Sequence, residues 1–361
     1  MITAGSIHAF YLYDVAQGID LTALQALVGP AAMPASVQDK QAGPSKVRYL
    51  QAPTIVDGAV LGVGDLDGFS VRVKCYDYGV ISLRLSRPFT GTFTDLVKLS
   101  QELIESETLE LHAEEAVRRI AERVRPALVE PRPSFLDEDY LALVVNTLEQ
   151  PATADALLAS QGAAIAQMLR GERQTLSDQE REEVLRHRLS YLTDDLVVPA
   201  YNAAFVYDTD AGALASLEIL EYANSQLLEF RYHDELLETE LGRIYAGLRA
   251  RGGTRLLRRR SYRAVNELHT LFIDVNELTD RMENVLKLVG DVYAARLFGL
   301  ASARLGLDAW KRNVEDKLET LDDIYRFTVE QSSMTRANFM ELVIVLVLVI
   351  EFGFFIADLI P

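Results

Sequence analysis

The sequence predicts an α+β protein: an N-terminal mixed or antiparallel sheet domain, then a long helical hairpin of coiled-coil type, then one C-terminal transmembrane helix. Three observations carry this. Stretches rich in β-branched and aromatic residues occupy 6–14, 54–63 and 69–86. Apolar residues recur at alternating steps of three and four from Leu268 to Val292. A nearly unbroken apolar run fills 339–360. The expected boundaries are 1–208 for the α+β domain, 211–338 for the long helices and 339–360 for the span.

The first strands are bounded by glycine-bearing turns, and Asp77-Tyr78-Gly79 marks a bend between two shorter strands. Thr94-Asp95 caps a helix that continues to about Arg125, before Pro126. Pro131-Arg132-Pro133 reads as a linker, and 138–149 as a strand. Two helices follow. The second opens with Ser177-Asp-Gln-Glu180, in which Ser and Glu satisfy free amides reciprocally. Strand character returns over 191–208.

From about Ala211 one helix runs to about Arg251 and stops at Gly252-Gly253. The next carries the seam Leu268, Leu271, Val275, Leu278, Met282, Val285, Val289 and Val292. Gly299 and Gly306 bracket an expected turn near residue 301. A third helix then places Leu307, Trp310, Val314, Leu321, Ile324 and Thr328 at similar spacing. An antiparallel hairpin and an intermolecular coiled coil both satisfy this pattern, and the short connection favours the hairpin.

Between Leu342 and Ile356 stand thirteen Leu, Ile, Val or Phe residues. At about −0.3 to −0.6 kcal/mol each, they outweigh a cost of about +3 kcal/mol for the central Glu351. Glu351 is then expected to be protonated or to face another helix as an intramembrane contact. Lys311, Arg312, Lys317, Arg326 and Arg336 precede the span and no base follows it, which predicts a cytoplasmic N-terminal part. The N-terminus shows no signal peptide and no Arg-rich presequence.

The chain has 361 residues and a net charge of −17. Phosphate repels so acidic a surface, which argues against broad nucleic-acid binding. The single cysteine, Cys75, excludes an internal disulfide and a cysteine-based metal site, and its place in an alternating strand suggests a buried thiol. Against this background Arg249, Arg251, Arg255, Arg258, Arg259, Arg260 and Arg263 fall within fifteen residues without an acid. If the helices turn near 301, Arg260 comes level with Glu341 and the cluster forms a collar on anionic lipid. RNA or a ribosome would use the same charge.

The third quarter carries a further signature. It comprises Leu189-Ser-Tyr191, Asp195-Leu196, the segment Asn202 to Asp208, the segment Glu221 to Glu238, Tyr293 to Leu297, Trp310, Lys317-Leu318 and the final apolar run. Together with Tyr78-Gly79-Val80 these resemble the required-for-meiotic-nuclear-division family, long catalogued as a domain of unknown function. The resemblance implies a C-terminally anchored membrane protein, homo-oligomeric, without established catalytic activity. Eukaryotic relatives are mitochondrial inner-membrane proteins that support organellar translation. Without a presequence, the expectation here is a bacterial inner membrane.

No catalytic, cofactor-binding or metal site stands out. Glu229 and His233 share a helix face, but Glu240 lies seven residues from His233, so an ion-paired face is the better reading. Gly62 to Gly68 has phosphate-loop glycine spacing, yet it precedes a strand and lacks the lysine, so it reads as a turn. His8, His112, His187, His233 and His269 are scattered, and no Gly-x-Ser-x-Gly elbow occurs. The sequence therefore predicts a membrane-anchored, non-enzymatic scaffold that self-associates. The alternative is a tether for RNA or ribosomes acting through Arg249–Arg263.

Overall fold

The computed structural model describes residues 1–31, 33–34, 52–249, 273, 292–324 and 326. The chain divides into two compact units, one comprising Met1–His233 and Glu277–Lys311, the other Asp234–Asn276 and Arg312–Pro361.

The first unit is built on one eight-stranded mixed sheet: β1 (Ile2–Ile19), β2 (Met33–Pro34), β3 (Thr54–Asp57), β4 (Ser70–Cys75), β5 (Val80–Gly91), β6 (Leu128–Leu148), β7 (Leu196–Pro199) and β8 (Ala203–Tyr207). Their order is β2-β3-β4-β5-β1-β6-β8-β7. All neighbours are antiparallel except β6 and β8. A parallel pair needs a crossover. Here α4 (Ala154–Arg170) and α5 (Asp178–Arg186) supply it.

Period-two alternation gives the sheet two unlike faces. Ile7, Ala9 and Tyr11 of β1, Leu83 and Leu85 of β5, Leu143 and Val145 of β6, and Phe205 of β8 belong to one apolar core. α1 (Leu21–Val28), α2 (Phe93–Ile104), α3 (Glu107–Arg123), α4 and α5 all contribute to that core. The opposite face carries His8, Phe10, Leu12 and Asp14 of β1 beside Arg84, Ser82 and Lys74. α6 (Asp210–Arg249) supplies this face with the partners described below. Helix α7 (Val292–Leu305) joins α6 there, with the Tyr222 and Phe298 rings 5.9 Å apart.

Several local expectations change. The helix expected over 94–125 is two helices. Thr92 caps α2 in a reciprocal box with Asp95, and Ser106 caps α3. Pro131-Arg132-Pro133 is not a linker but part of β6. Pro131 lies where the β1–β6 register shifts, and such an irregularity spares the ladder the missing N–H. At Ser177 the hydroxyl accepts from the Glu180 amide.

The helical region also departs from expectation. Residue 301 lies inside α7, so the turn there is overturned, and with it the register that set Arg260 level with Glu341. The break comes at Gly306, whose φ of 71° closes α7 before α8, residues 307–324. Leu307, Val314 and Leu321 are buried as the spacing predicts, and Leu318 joins them.

Among the described residues no helix is long and apolar enough to cross a membrane. Residues 339–360, Glu351 with them, lie outside the described residues. The 40-residue α6 has the length but carries charges every few positions, including Glu218, Glu221 and Glu229. The C-terminal transmembrane helix, the membrane placement and the localisation drawn from it are therefore withdrawn.

The β4–β5 hairpin tip packs on β1. Val15 N–H donates to Gly79 O at 3.1 Å, and Ile19 N–H to Asp77 O at 2.9 Å. Gly79 has φ +98°, and a Cβ there would meet Ala16 O at 1.8 Å. Gly79→Ala is therefore expected to destabilise the first unit by more than ~2 kcal/mol, combining backbone strain with a backbone clash. Urea unfolding followed by circular dichroism measures it, and an unchanged midpoint would refute the account.

Candidate functional site

Alternation along β4 and β5 places Lys74 and Arg84 side by side on the α6 face, where a one-sided sheet would show them to water. Both are buried instead. On α6, Glu218 and Glu221 are three residues apart and so project from one side. Lys74 Nζ donates to Glu218 Oε2 at 2.5 Å and to Glu221 Oε2 at 2.6 Å. Arg84 Nη2 donates to Glu218 Oε1 at 2.5 Å and also to Glu221 Oε2. Two cations and two carboxylates thus form a neutral, closed quartet.

Its titration follows from the geometry. Burial works against every charge in the set. The adjacent Lys74 and Arg84 outweigh it at the carboxylates, holding Glu218 down at about 2 and Glu221 below the usual range. Burial likewise opposes the Arg84 charge, and Glu221 and Glu218 outweigh it, raising its pKa. Glu218, Glu221 and Arg84 remain charged at neutrality.

Two further contacts hold α6 on the same face. Ser225 donates to the Tyr222 carbonyl at 2.7 Å, so the Tyr78 hydroxyl donates to Ser225 Oγ, also at 2.7 Å. Arg231 pairs with Glu138 and donates to Asp137 O at 3.1 Å. Near it, Arg132 Nε donates to Asp14 Oδ2 at 3.0 Å, while its guanidinium lies 3.7 Å from the Tyr232 ring centroid. At Asp14 burial wins, and its pKa is pushed up to about 6 despite Arg132.

At the other end of this face Ser6, His8 and Ser86 form a hydrogen-bonded chain. Ser6 Oγ lies 2.9 Å from His8 Nε2, and His8 Nδ1 lies 2.9 Å from Ser86 Oγ. Burial lowers the imidazole to about 3, helped by Arg84 and Arg72, so His8 is neutral at physiological pH.

The structure bears unevenly on the residues the sequence singles out. Arg251, Arg255, Arg258, Arg259, Arg260, Arg263, Glu351 and seven seam positions (Leu268, Leu271, Val275, Leu278, Met282, Val285 and Val289) lie outside the described residues. Arg249 ends α6, and Val292 opens α7 as an exposed residue. The proposed acid and histidine set is not assembled: His233 Nε2 and Glu229 Oε2 are 4.0 Å apart, while Glu240 pairs with Arg243. Among the described residues no group of three or more His, Cys, Asp or Glu is placed to hold a metal. Cys75 is fully buried, which pushes its thiol up to about 12.

The family described as "Uncharacterized protein MJ0711, N-terminal domain" matches residues 4–213. The chain belongs to that family. It is similar to the uncharacterized protein MJ0711 of Methanocaldococcus jannaschii, at 23% identity over 214 residues, covering 59% of this chain and 64% of the relative. The chain thus spans less than two thirds of that relative's length. The relative is archaeal, which gives the expected bacterial inner membrane no support. No solved structure matches the chain. Lys74, Arg84 and the Ser6–His8–Ser86 chain fall inside the family domain, whereas Glu218 and Glu221 fall beyond residue 213.

Sequence reading missed the quartet because buried lysine and arginine look like a solvated strand face. The signal was on the helix: Glu218, Glu221, Ser225 and Glu229, at steps of three, four and four, make a polar stripe that matches the sheet.

Glu221→Gln leaves buried positive charge uncompensated and is expected to cost about 3–5 kcal/mol, read by chemical denaturation. The pH dependence has a defined sign. Glu218 has a folded pKa of about 2 against an ordinary value of 4.5, so its contribution is complete above pH 4.5 and is lost as pH falls towards 2. Glu218→Gln should flatten the acid limb of the stability curve in that window. An unchanged acid limb would exclude this assignment.

Proposed function

We propose that this chain is an assembly protein without catalytic activity, which associates with further copies of itself through its helical segments. Packing within the second unit supports the reading most directly. Leu237 and Leu241 of α6 are buried, as are Val314, Leu318 and Leu321 of α8. Steps of four, and of four then three, are those of knobs-into-holes seams. Lys317 Nζ closes the seam at one side, 2.9 Å from Asp234 and 2.8 Å from Glu238. Partial burial opposes its charge and these carboxylates outweigh it, raising its pKa. Residues 268–292 add a second apolar stripe of the same period. Two such stripes give one chain the means to pair both within itself and with another copy.

We also infer a distant relationship to the required-for-meiotic-nuclear-division family, on the residues of the 189–238 and 293–318 segments given above. The homo-oligomers of that family support self-association here. The second reading, a tether for RNA or ribosomes, rests on the seven arginines of 249–263 and their lack of neighbouring acids.

Light scattering on the full chain separates the two. The expected result is a defined oligomer that persists in high salt, and a monomer for Leu278→Asp with its sheet signal intact in circular dichroism. A monomeric wild type, or a variant of unchanged mass, would overturn self-association through the 268–292 stripe. RNA that copurifies and is stripped by high salt would favour the tether.

A further inference from the structure

The α6 face of the sheet changes character along its strands. At Lys74, Ser82 and Arg84 it is buried, whereas Ser70 and Arg72 are exposed and Ser6, His8 and Ser86 are half-buried. These last five side chains lie on three adjacent strands and on one face, with Ser70 and His8 on either side of Ser86 and with Arg72 opposite Arg84.

Arg72 is the anomaly. Like charges directly across a ladder repel. Arg84 is neutralised by Glu218 and Glu221, but Arg72 has no ion-pair partner among the described residues. Across from it on β3, Asp57 accepts from the Ala59 amide at 2.9 Å through one carboxylate oxygen.

The serines and the histidine complete the chemistry. A neutral imidazole has one N–H and one acceptor nitrogen. One of its two serine partners therefore donates to it and the other accepts from it. The accepting serine keeps its own hydroxyl proton, free to point outward. An arriving anion would meet this hydroxyl and the Arg72 fork, beside the neutral His8 imidazole. A guanidinium and hydroxyl donors at neighbouring positions of one sheet face suit an oxyanion with several acceptor oxygens.

We propose that Arg72 and the Ser6–His8–Ser86 chain form a binding site for a phosphate group, either free phosphate or that of a phosphate monoester. The site lies within the family domain and stands independently of how the helices assemble.

The test follows the His8 imidazole by NMR in the full chain at neutral pH while inorganic phosphate or phenyl phosphate is added. Both are expected to shift the His8 signals saturably. Arg72→Ala, an exposed position, is expected to retain the melting curve and to weaken binding about tenfold or more. Ser86→Ala is expected to reduce the His8 response. Tighter binding of phenyl phosphate identifies an organic monoester as the ligand class, and tighter binding of the inorganic ion identifies free phosphate. No His8 response to either anion, or equal affinity in Arg72→Ala, would overturn the site.

Discussion

Burying the Lys74, Arg84, Glu218 and Glu221 quartet under α6 is the constraint on which the rest of the first unit depends. Each of these groups loses much of its hydration in the fold, and only close, hydrogen-bonded pairing offsets that loss. The quartet is stable as a set because it closes on itself with no charge over. Turning α6 by one residue would swing its carboxylates about 100° away and leave two cations buried without partners. Apolar packing alone tolerates such a rotation far better, since a neighbouring leucine can replace another. The ion set therefore acts as a register device, specifying which side of α6 meets the sheet.

That device explains the two unlike sheet faces. The face towards α2–α5 is mainly aliphatic and aromatic, and the burial of its apolar core drives collapse without directional demands. On the α6 face the directional contacts concentrate: the quartet, Tyr78 with Ser225, Arg231 with Glu138, and Arg132 with Asp14. Magnitudes differ among them. Two cations suffice to hold Glu218 and Glu221 ionised, whereas the single Arg132 leaves burial dominant at Asp14. The number of opposing charges within reach decides the protonation state.

The family boundary gains a physical meaning from the same contacts. Apart from the first two residues of β1, the matched residues 4–213 hold every described strand and the basic half of the quartet, and they end just as α6 begins. A domain cut there would expose Lys74 and Arg84 without their carboxylates. The first turns of α6 thus belong energetically to the sheet domain, although they open the longest of the described helices.

Much of the element content was legible in the sequence. The strands expected at 6–14, 54–63, 69–86 and 191–208 correspond to β1, β3, β4 with β5, and β7 with β8, although Gly58–Leu61 is a 3-10 turn and β7 begins only at Leu196. These, the Gly79 bend, the start of α6 near Ala211 and the apolar period of α8 are local patterns, set by β-branched runs, glycines and steps of three and four. Other features depend on partners distant in the chain. Pro131-Arg132-Pro133 became strand because β1 pairs with it across a register shift, and α7 ran through residue 301 because Gly306, not Gly299, adopts positive φ. The 339–360 run was read from hydropathy alone, and no described helix supports a span. Composition and periodicity by themselves determined the α+β class and the helices α6 and α8. Only the tertiary structure decided which strand cations are buried, which helix acids meet them, and that Arg72 has no ion-pair partner among the described residues. Those outcomes follow from distances between residues well over a hundred positions apart, where the electrostatics of burial rather than local propensity sets the result.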